Sequence, residues 1–580
     1  MIEKNIEELD PAEQQTKSKP AIELGGRAST LVIIFCAMAF VLCILLTVAP
    51  LSRIPDLLQL QNPVLQLQTP FGAQLAQVGA WLPNDLGLSA NHLASQANTN
   101  YIDFLALIAL AFVIYGLCAL FIQRQTLIAR DHKTLRLIWL VTIAAGFIYV
   151  FTPAMLSHDI LAYAGFSRLV ATYHANPYFV PLSTYPHDPF YHLYYWATST
   201  FAYGPVWLAI CSLLGFVMGP QPLGYVLAFR LFALAAHLLN IWLVITILRS
   251  SGQSSRVVTL GALLYAWNPL VLLESSLGGH NDVFMLTFLL AGVLLSVLAE
   301  KRGQFTHPRG YLPPIVAFTI AALVKFSALP LIVLFILFLA CRALRPRPST
   351  GFQFREAVSH YWRSAFLIIC TASIASGLVT LAFYGPLWIG HNIQSIQNSF
   401  TSLPSSLHEE NSILRALFAW NHFHTLPPHT IGYKLVQIFA ARKTWDDINI
   451  VIVASALIMS AIWLWYAPTI RTFVLASLAT LGVFLIVTPW FYSWYITWLV
   501  GLVVVSLPLS QSRIGRSLLA FTLTFSASAF LTYLFKDGYP PFGIWIGPIF
   551  LITIVPPLLA FLVSLIAWRP VKDLPRNLTR

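Results

Sequence analysis

The sequence predicts an all-α integral membrane protein, a polytopic bundle of about fourteen transmembrane helices with two further helices lying on the membrane surface in an outer loop. Three observations predict it. Of 580 residues, 57% are hydrophobic and 10% charged, well below the roughly one quarter of charged residues usual in a soluble domain. Apolar stretches of about 20 residues, enough to cross a bilayer as a helix, recur along the chain. Lys and Arg alternate between crowded and sparse loops, as the excess of basic residues in cytoplasmic loops requires.

The stretches run over 29–49, 102–123, 135–155, 224–248, 257–274, 281–299, 311–325, 327–342, 364–384, 446–467, 471–488, 491–508, 515–535 and 542–568. With the N-terminus inside, carrying Lys4, Lys17, Lys19 and Arg27, most of the 34 Lys and Arg fall in inner loops, among them Arg124, Arg130, Lys133, Arg136, Arg249, Arg256, Lys301, Arg342, Arg471, Arg513 and Arg516. Both termini are then cytoplasmic. The stretches 311–325 and 327–342 are short, and fusing them into one span would reverse everything after them. The net charge of +12 follows from this sidedness and from attraction to anionic lipid; membrane lipids, and no nucleic acid, are the expected partners. The acidic first 25 residues lack the features of a signal peptide and are expected to stay on the chain. The six cysteines show no metal-ligand spacing and read as small buried apolar residues.

Three outer segments, 50–101, 156–223 and 385–445, are too long to be mere connections, and long loops are where function concentrates. In the second, Ile160 to Thr172 reads as an amphipathic helix and Tyr203 to Met218 as an apolar one, both expected along the outer surface. Making 203–218 a span would put Arg249 and Arg256 outside and worsen the charge asymmetry. Phe201–Trp207 and Ala382–Trp388 share a Tyr-Gly-Pro core and read as a recurring turn.

Ionisable groups at a membrane boundary are costly, so their positions carry information. Asp159, Arg168, Arg230, Glu274, His280, Asn281, Asp282 and Lys325 fall on one outer face. Sugar transfer from a polyprenyl phosphate needs this mixture. An ionised Asp takes the proton of the acceptor hydroxyl, and cations stabilise the leaving phosphate, in one inverting displacement. Asp159 is the candidate base, and His280, Arg168, Arg230 and Lys325 are the candidate donor-phosphate ligands. Asn281, Asp188, Tyr203, Trp490 and Tyr492 are candidates for acceptor or sugar binding. Each also has a structural reading. Ser157 and Asp159 can cap the following helix, as Asn281 and Asp282 can cap theirs, and for Asp282 the cap is the expectation. Arg168 and Lys325 can snorkel to lipid phosphates, and the aromatic run Trp490–Trp498 reads first as an interfacial belt.

Asp159-Ile-Leu-Ala-Tyr-Ala-Gly-Phe-Ser-Arg168, Asn176-Pro-Tyr178, Tyr203-Gly-Pro-Val-Trp207, Gly278-Gly-His-Asn-Asp282, Lys325 and Thr488-Pro-Trp-Phe-Tyr492 resemble, in this order, the bacterial polyprenol-phosphomannose-dependent mannosyltransferases of the GT-C class, α-1,6 type. The likeness runs from about 135 to 500. It implies a GT-C-like arrangement of surface helices in the first large outer loop, with Asp159 as general base and His280 near the donor phosphate. It further implies a polyprenyl-phosphate-sugar donor, a lipid-linked or glycan acceptor, α-mannoside products, and neither cofactor nor metal. The chain then divides into a cytoplasmic tail 1–28, additional spans and an outer segment 29–134, a catalytic core 135–508, and C-terminal spans with a cytoplasmic tail 509–580. The family often begins with the span just before the catalytic loop, so 29–134 is a departure, as is the position of the next acidic residue, Asp188. Rival functions are a lipid flippase, a lipid-polymer ligase and an envelope scaffold. Ionisable groups at span ends rather than at mid-membrane favour surface chemistry over transport.

Overall fold

The computed structural model describes residues 26–54, 70–78, 96–124, 131–193, 196–305, 307–344, 354–401, 442–488, 491–509, 512–534 and 546–567. All regular elements among them are helical: α1 (Gly26–Arg53), α2 (Pro70–Gln77), α3 (Gln96–Arg124), α4 (Asp131–Val150), α5 (Asp159–Ala171), α6 (Pro205–Val217), α7 (Pro222–Ser250), α8 (Ser255–Ala266), α9 (Pro269–Ser276), α10 (Asp282–Lys301), α11 (Pro308–Val324), α12 (Leu329–Leu344), α13 (Phe354–Trp388), α14 (Ile393–Thr401), α15 (Arg442–Tyr466), α16 (Ile470–Val487), α17 (Ile496–Val505), α18 (Arg513–Ser528) and α19 (Ile546–Ile566), with short 3-10 turns between some of them. Proline opens α6, α7, α9 and α11, where its missing N–H costs nothing and its fixed φ suits the first turn.

Among the described residues ten helices are long and apolar enough to cross a membrane, and α8 and α9 pass the same test only together, as a pair bent by 53°. Three of the four shorter apolar helices, Pro308–Val324, Ser493–Val505 and Ile552–Ile566, fall on the remaining expected stretches. The bundle is therefore polytopic, in the order the hydropathy predicted. The α10 and α16 spans are 72% buried against other helices and those in α13 and α15 only 11%, so the former are central and the latter peripheral. Residues 311–342 make two spans. Phe305, just before α11, packs on Phe338 near the end of α12, and Arg342 pairs with Glu300 at the end of α10, so the chain reverses at Lys325–Ala328.

With no hydrophobic force between helices in lipid, close packing and satisfied polar groups hold such a bundle. Gly261 sits at one close approach: a Cβ there would lie 2.5 Å from Leu248 Cδ1 on α7. The α8–α9 break follows from Asn268-Pro269. Proline disfavours a helical residue before it, and Asn268 adopts φ −60°, ψ 116°. Its side chain then accepts from the N–H groups of Leu270 and Val271 and donates to Ser526 Oγ at 2.9 Å. The polar groups freed by the break are thus re-satisfied inside protein, as a broken helix at membrane depth requires.

The outer-loop helices differ from expectation in one respect. α5 is buried on all sides from Ile160 to Leu169 rather than amphipathic, because α6 and α7 pack against it. α6, about 20 Å long at 1.5 Å per residue, is too short to span and exposes Leu213, Phe216 and Val217. The Gly-Pro repeat is not a recurring turn. Gly204 and Pro205 start α6, whereas Gly385 and Pro386 lie within the last turn of α13. Asn176 and Tyr178 join the two stretches: Asn176 Nδ2 donates to Leu387 O at 2.7 Å, Tyr178 OH donates to Tyr203 O at 2.7 Å, and the Tyr178 ring lies 5.7 Å from that of Tyr384.

Replacing Asn268 with Ala removes two capped N–H groups and the bond to α18, and should destabilise the protein by about 1–2 kcal/mol. Thermal unfolding in detergent measures this; an unchanged midpoint would show that the break needs no cap.

Candidate active site

Asp159 is the first residue of α5, where the helix N-terminus favours a carboxylate, and its N–H donates to Ser157 Oγ at 3.2 Å. The side chain is 21% exposed. It faces a cavity of about 440 Å³ together with Ala162 and Phe166, three and seven positions on and so on the same helical face. Tyr203 closes another side, with Lys325 and Phe326 from the α11–α12 turn and Thr488, Tyr492, Trp494 and Tyr495 from the α16–α17 connection. The cavity is thus walled by aromatic rings and carries a carboxylate and an ammonium.

Tyr203 reaches the cavity because Gly204 permits it. A Cβ at Gly204 would lie 1.9 Å from Leu323 O, so only glycine lets this loop touch the end of α11. Tyr203 also packs edge-on against Tyr163, with centroids 5.5 Å apart.

Behind Asp159 lies His280, only 1% exposed and held between two carboxylates. Its Nδ1 is 3.4 Å from Asp159 Oδ2 and its Nε2 is 3.2 Å from Glu274 Oε2, both ion-pair distances. Its ring stacks on Trp494 at 4.0 Å, and Trp494 stacks on Tyr492 at 4.2 Å. Glu274 Oε1 accepts from Ser493 Oγ at 3.0 Å and from the Tyr533 hydroxyl. Burial works against an imidazolium here, but the Asp159 and Glu274 carboxylates outweigh it and raise the His280 pKa above its ordinary value. The glycines before it have separate tasks. A Cβ on Gly278 would sit 2.5 Å from His280 Cδ2 and 2.6 Å from Glu274 Oε2, forcing the pair apart. Gly279 has φ +60°, and a Cβ there would press on Ile160 Cδ1 at 2.7 Å.

Lys325 Nζ lies 2.8 and 2.9 Å from the two carboxylate oxygens of Asp282 and 4.1 Å above the Tyr495 ring. Trp498 Nε1 donates to Asp282 Oδ1 at 2.7 Å. Asp282 is therefore the anchor of Lys325 rather than the helix cap that was expected. The aromatic run turns inward and forms no interfacial belt among its described residues, since Trp494 and Trp498 are buried and Tyr492, Trp494 and Tyr495 line the cavity.

Five expected ligands lie elsewhere among the described residues. Arg168 stands nine positions after Asp159, on the opposite face of α5 at 100° per residue, and its Nε donates to Asp188 Oδ2 at 2.7 Å. Asp188 also accepts from Tyr173 OH and Phe190 N, so the expected phosphate ligand and the expected acceptor ligand form one internal tie of the outer loop. Burial pulls the Arg168 pKa down, but the Asp188 hydrogen bond and charge hold it above the usual value. Arg230, expected at the donor phosphate, is buried and donates to the carbonyls of Val150, Thr152, Ala154 and Leu277 at 2.6–3.1 Å, satisfying the chain where α4 and α9 end. Asn281 is buried outside the cavity lining, and its amide has no hydrogen-bond partner among the described residues. His280 is likewise shielded by Asp159 and does not line the cavity. Trp490 lies outside the described residues.

Glu274 stood in the polar layer without an assigned task, although a carboxylate inside the apolar run Pro269–Ser276 is itself a signal. Trp494 and Tyr495 were visible only as members of an aromatic run.

Residues 70–342 match the model of the MptA_B family, described as alpha-(1->6)-mannopyranosyltransferase, N-terminal domain. The match begins ahead of the motifs and takes in α2 and α3, which lie outside the core expected at 135–508. The chain is similar to alpha-(1->6)-mannopyranosyltransferase A of Mycobacterium tuberculosis, 24% identical over 325 residues, which is 55% of this chain and 54% of that protein. It is also similar to a probable alpha-(1->6)-mannopyranosyltransferase of Mycolicibacterium smegmatis, 26% identical over 289 residues, 48% of this chain and 49% of the relative. It spans about half the length of these curated relatives. No solved structure matches the chain.

Arg230→Met strands four carbonyls and should destabilise the protein by about 2–5 kcal/mol, read as a lower unfolding midpoint or lost expression. A stable variant that only loses affinity for a phosphate-bearing lipid would return Arg230 to the donor site.

Proposed function

As a relative of the α-(1→6)-mannopyranosyltransferases over residues 70–342, the chain is, we propose, a membrane mannosyltransferase that moves mannose from a polyprenyl-phosphate donor to a lipid-linked or glycan acceptor on the extracytoplasmic face. The observation that carries this reading is the pairing of one partly exposed carboxylate, Asp159, with one ammonium, Lys325, across an aromatic-walled cavity. The acceptor hydroxyl attacks the anomeric carbon as its proton passes to Asp159. The bond to phosphate breaks with its electron pair on the departing polyprenyl phosphate, and the configuration inverts. Lys325, set by Asp282 and Trp498, meets the charge that grows on that phosphate. Tyr203, Tyr492, Trp494 and Tyr495 offer ring faces to the sugar.

His280 and Glu274 act in this reading as positioning residues. With a carboxylate against each ring nitrogen, both nitrogens must carry hydrogen, so the cluster is complete only while His280 is an imidazolium. Loss of that proton sets a lone pair against a carboxylate and releases Asp159.

Asp159→Asn keeps the shape and removes the base, and should lower transfer of radiolabelled mannose from polyprenyl-phosphate mannose by at least about a hundredfold, with donor binding retained. Retained turnover would overturn the assignment. Because the folded-state pKa of His280 is raised, transfer should fall as pH climbs through a value above the ordinary ~6.5. Glu274→Gln removes one of the charges that raise it, so the alkaline limb of the pH–rate profile should move to lower pH. An identical limb in the variant would disconnect Glu274 and His280 from the reaction.

A further inference from the structure

At the end of the bundle opposite Asp159, a second cavity of about 540 Å³ opens between α3, α8 and α18. The direction follows from the helices: α18 begins there with Arg513 and Arg516 and runs toward Tyr533, which bonds Glu274, while α8 begins there at Ser255 and leads to α9 and Glu274. Near the Asp159 end, α3 closes against the turn after α18, with Phe104 and Phe112 packed on Phe530 at 6.2 and 5.8 Å. The cleft between the three helices is lined by apolar side chains such as Leu120, Leu260 and Leu519, and carries Arg256, Arg516 and Gln123 at its mouth. Its deep end is marked by Tyr115, whose hydroxyl donates to Leu264 O at 2.9 Å. Gly116 deepens it, since a Cβ there would meet no atom within 4 Å.

From Tyr115 to Gln123 the cleft follows α3 for about 12 Å, most of one leaflet of a ~30 Å hydrocarbon layer. Two arginines over an apolar slot one leaflet deep complement a phosphodiester headgroup above an acyl chain, and arginine suits phosphate by its planar, many-donor guanidinium. We propose that this cleft is a binding site for an anionic glycerophospholipid, its phosphate at Arg256 and Arg516 and an acyl chain against α3 and α18. The site stands apart from the Asp159 cavity and does not depend on the reaction assigned there. In the topology read from the charges, its mouth opens on the cytoplasmic leaflet, where anionic lipid gathers.

The test uses the full chain in vesicles carrying trace photoreactive phosphatidylglycerol or photoreactive phosphatidylcholine, with cross-linked peptides identified by mass spectrometry. Phosphatidylglycerol should label peptides of α3 and α18 about tenfold more than phosphatidylcholine does. The Arg256→Gln/Arg516→Gln variant should abolish that preference, and Gly116→Phe, which fills the slot without displacing backbone, should remove the labelling itself. Equal labelling by the two lipids, or a preference that survives the double substitution, would overturn the proposal and mark the cleft as lipid-facing surface only. Labelled folding controls at α13, remote from the cleft, should be unchanged in both variants.

Discussion

Taking an ion out of water into a helical bundle costs several kcal/mol unless it is paired, and this chain buries Glu274, His280 and Asp282 together in one layer. The rest of the site follows from how they are paired. Glu274 is held by Ser493, Tyr533 and His280, Asp282 by Lys325 and Trp498, and His280 by carboxylates on both sides. Partners for one layer come from α5, α9, α10, the α11–α12 turn, the α16–α17 connection and the turn after α18. Removing any of these elements would take a partner from a buried ionisable group. The layer therefore ties the helices of the bundle to one another, and Asp159 is the member left partly open to the cavity.

The glycines and prolines of the short motifs serve that layer. Gly278 leaves space where His280 meets Glu274, Gly279 turns the chain with positive φ under Ile160, and Gly204 brings Tyr203 against the end of α11. Arg230 and Asn268 do for the backbone what the ion pairs do for the side chains. Each fills hydrogen-bonding capacity where a span ends or breaks, and so permits non-helical chain next to the cavity. Arg168 and Asp188 tie the outer loop in the same manner. The cations at this end are mostly scaffold, with Lys325 the one that reaches the cavity among the described residues.

The two ends of the bundle differ in kind. The Asp159 end is closed by aromatic packing and paired charge, while the opposite end gathers arginines around an apolar cleft between α3, α8 and α18. The α8–α9 pair and α18 with the turn after it run from one end to the other, the cleft being lined by α8 and α18 and the charged layer receiving Glu274 of α9 and Tyr533.

The sequence by itself determined the class and order of the bundle, because apolar length and the placement of Lys and Arg are properties of consecutive residues. It also brought out Asp159, His280, Tyr203, Lys325 and Tyr492, since short motifs at span ends keep their residues on one side of the membrane whatever the packing. It could have excluded Arg168, whose place nine residues after Asp159 turns it to the other face of α5. It did not carry the pairing of charges. Whether an arginine meets a phosphate, a carboxylate such as Asp188 or a set of carbonyls such as those around Arg230 depends on residues from 20 to 80 positions away. Only the tertiary structure decided that Glu274 faces His280, that Asp282 holds Lys325, and that the aromatic run turns inward, because each of these contacts joins helices whose separation along the chain has no local signature.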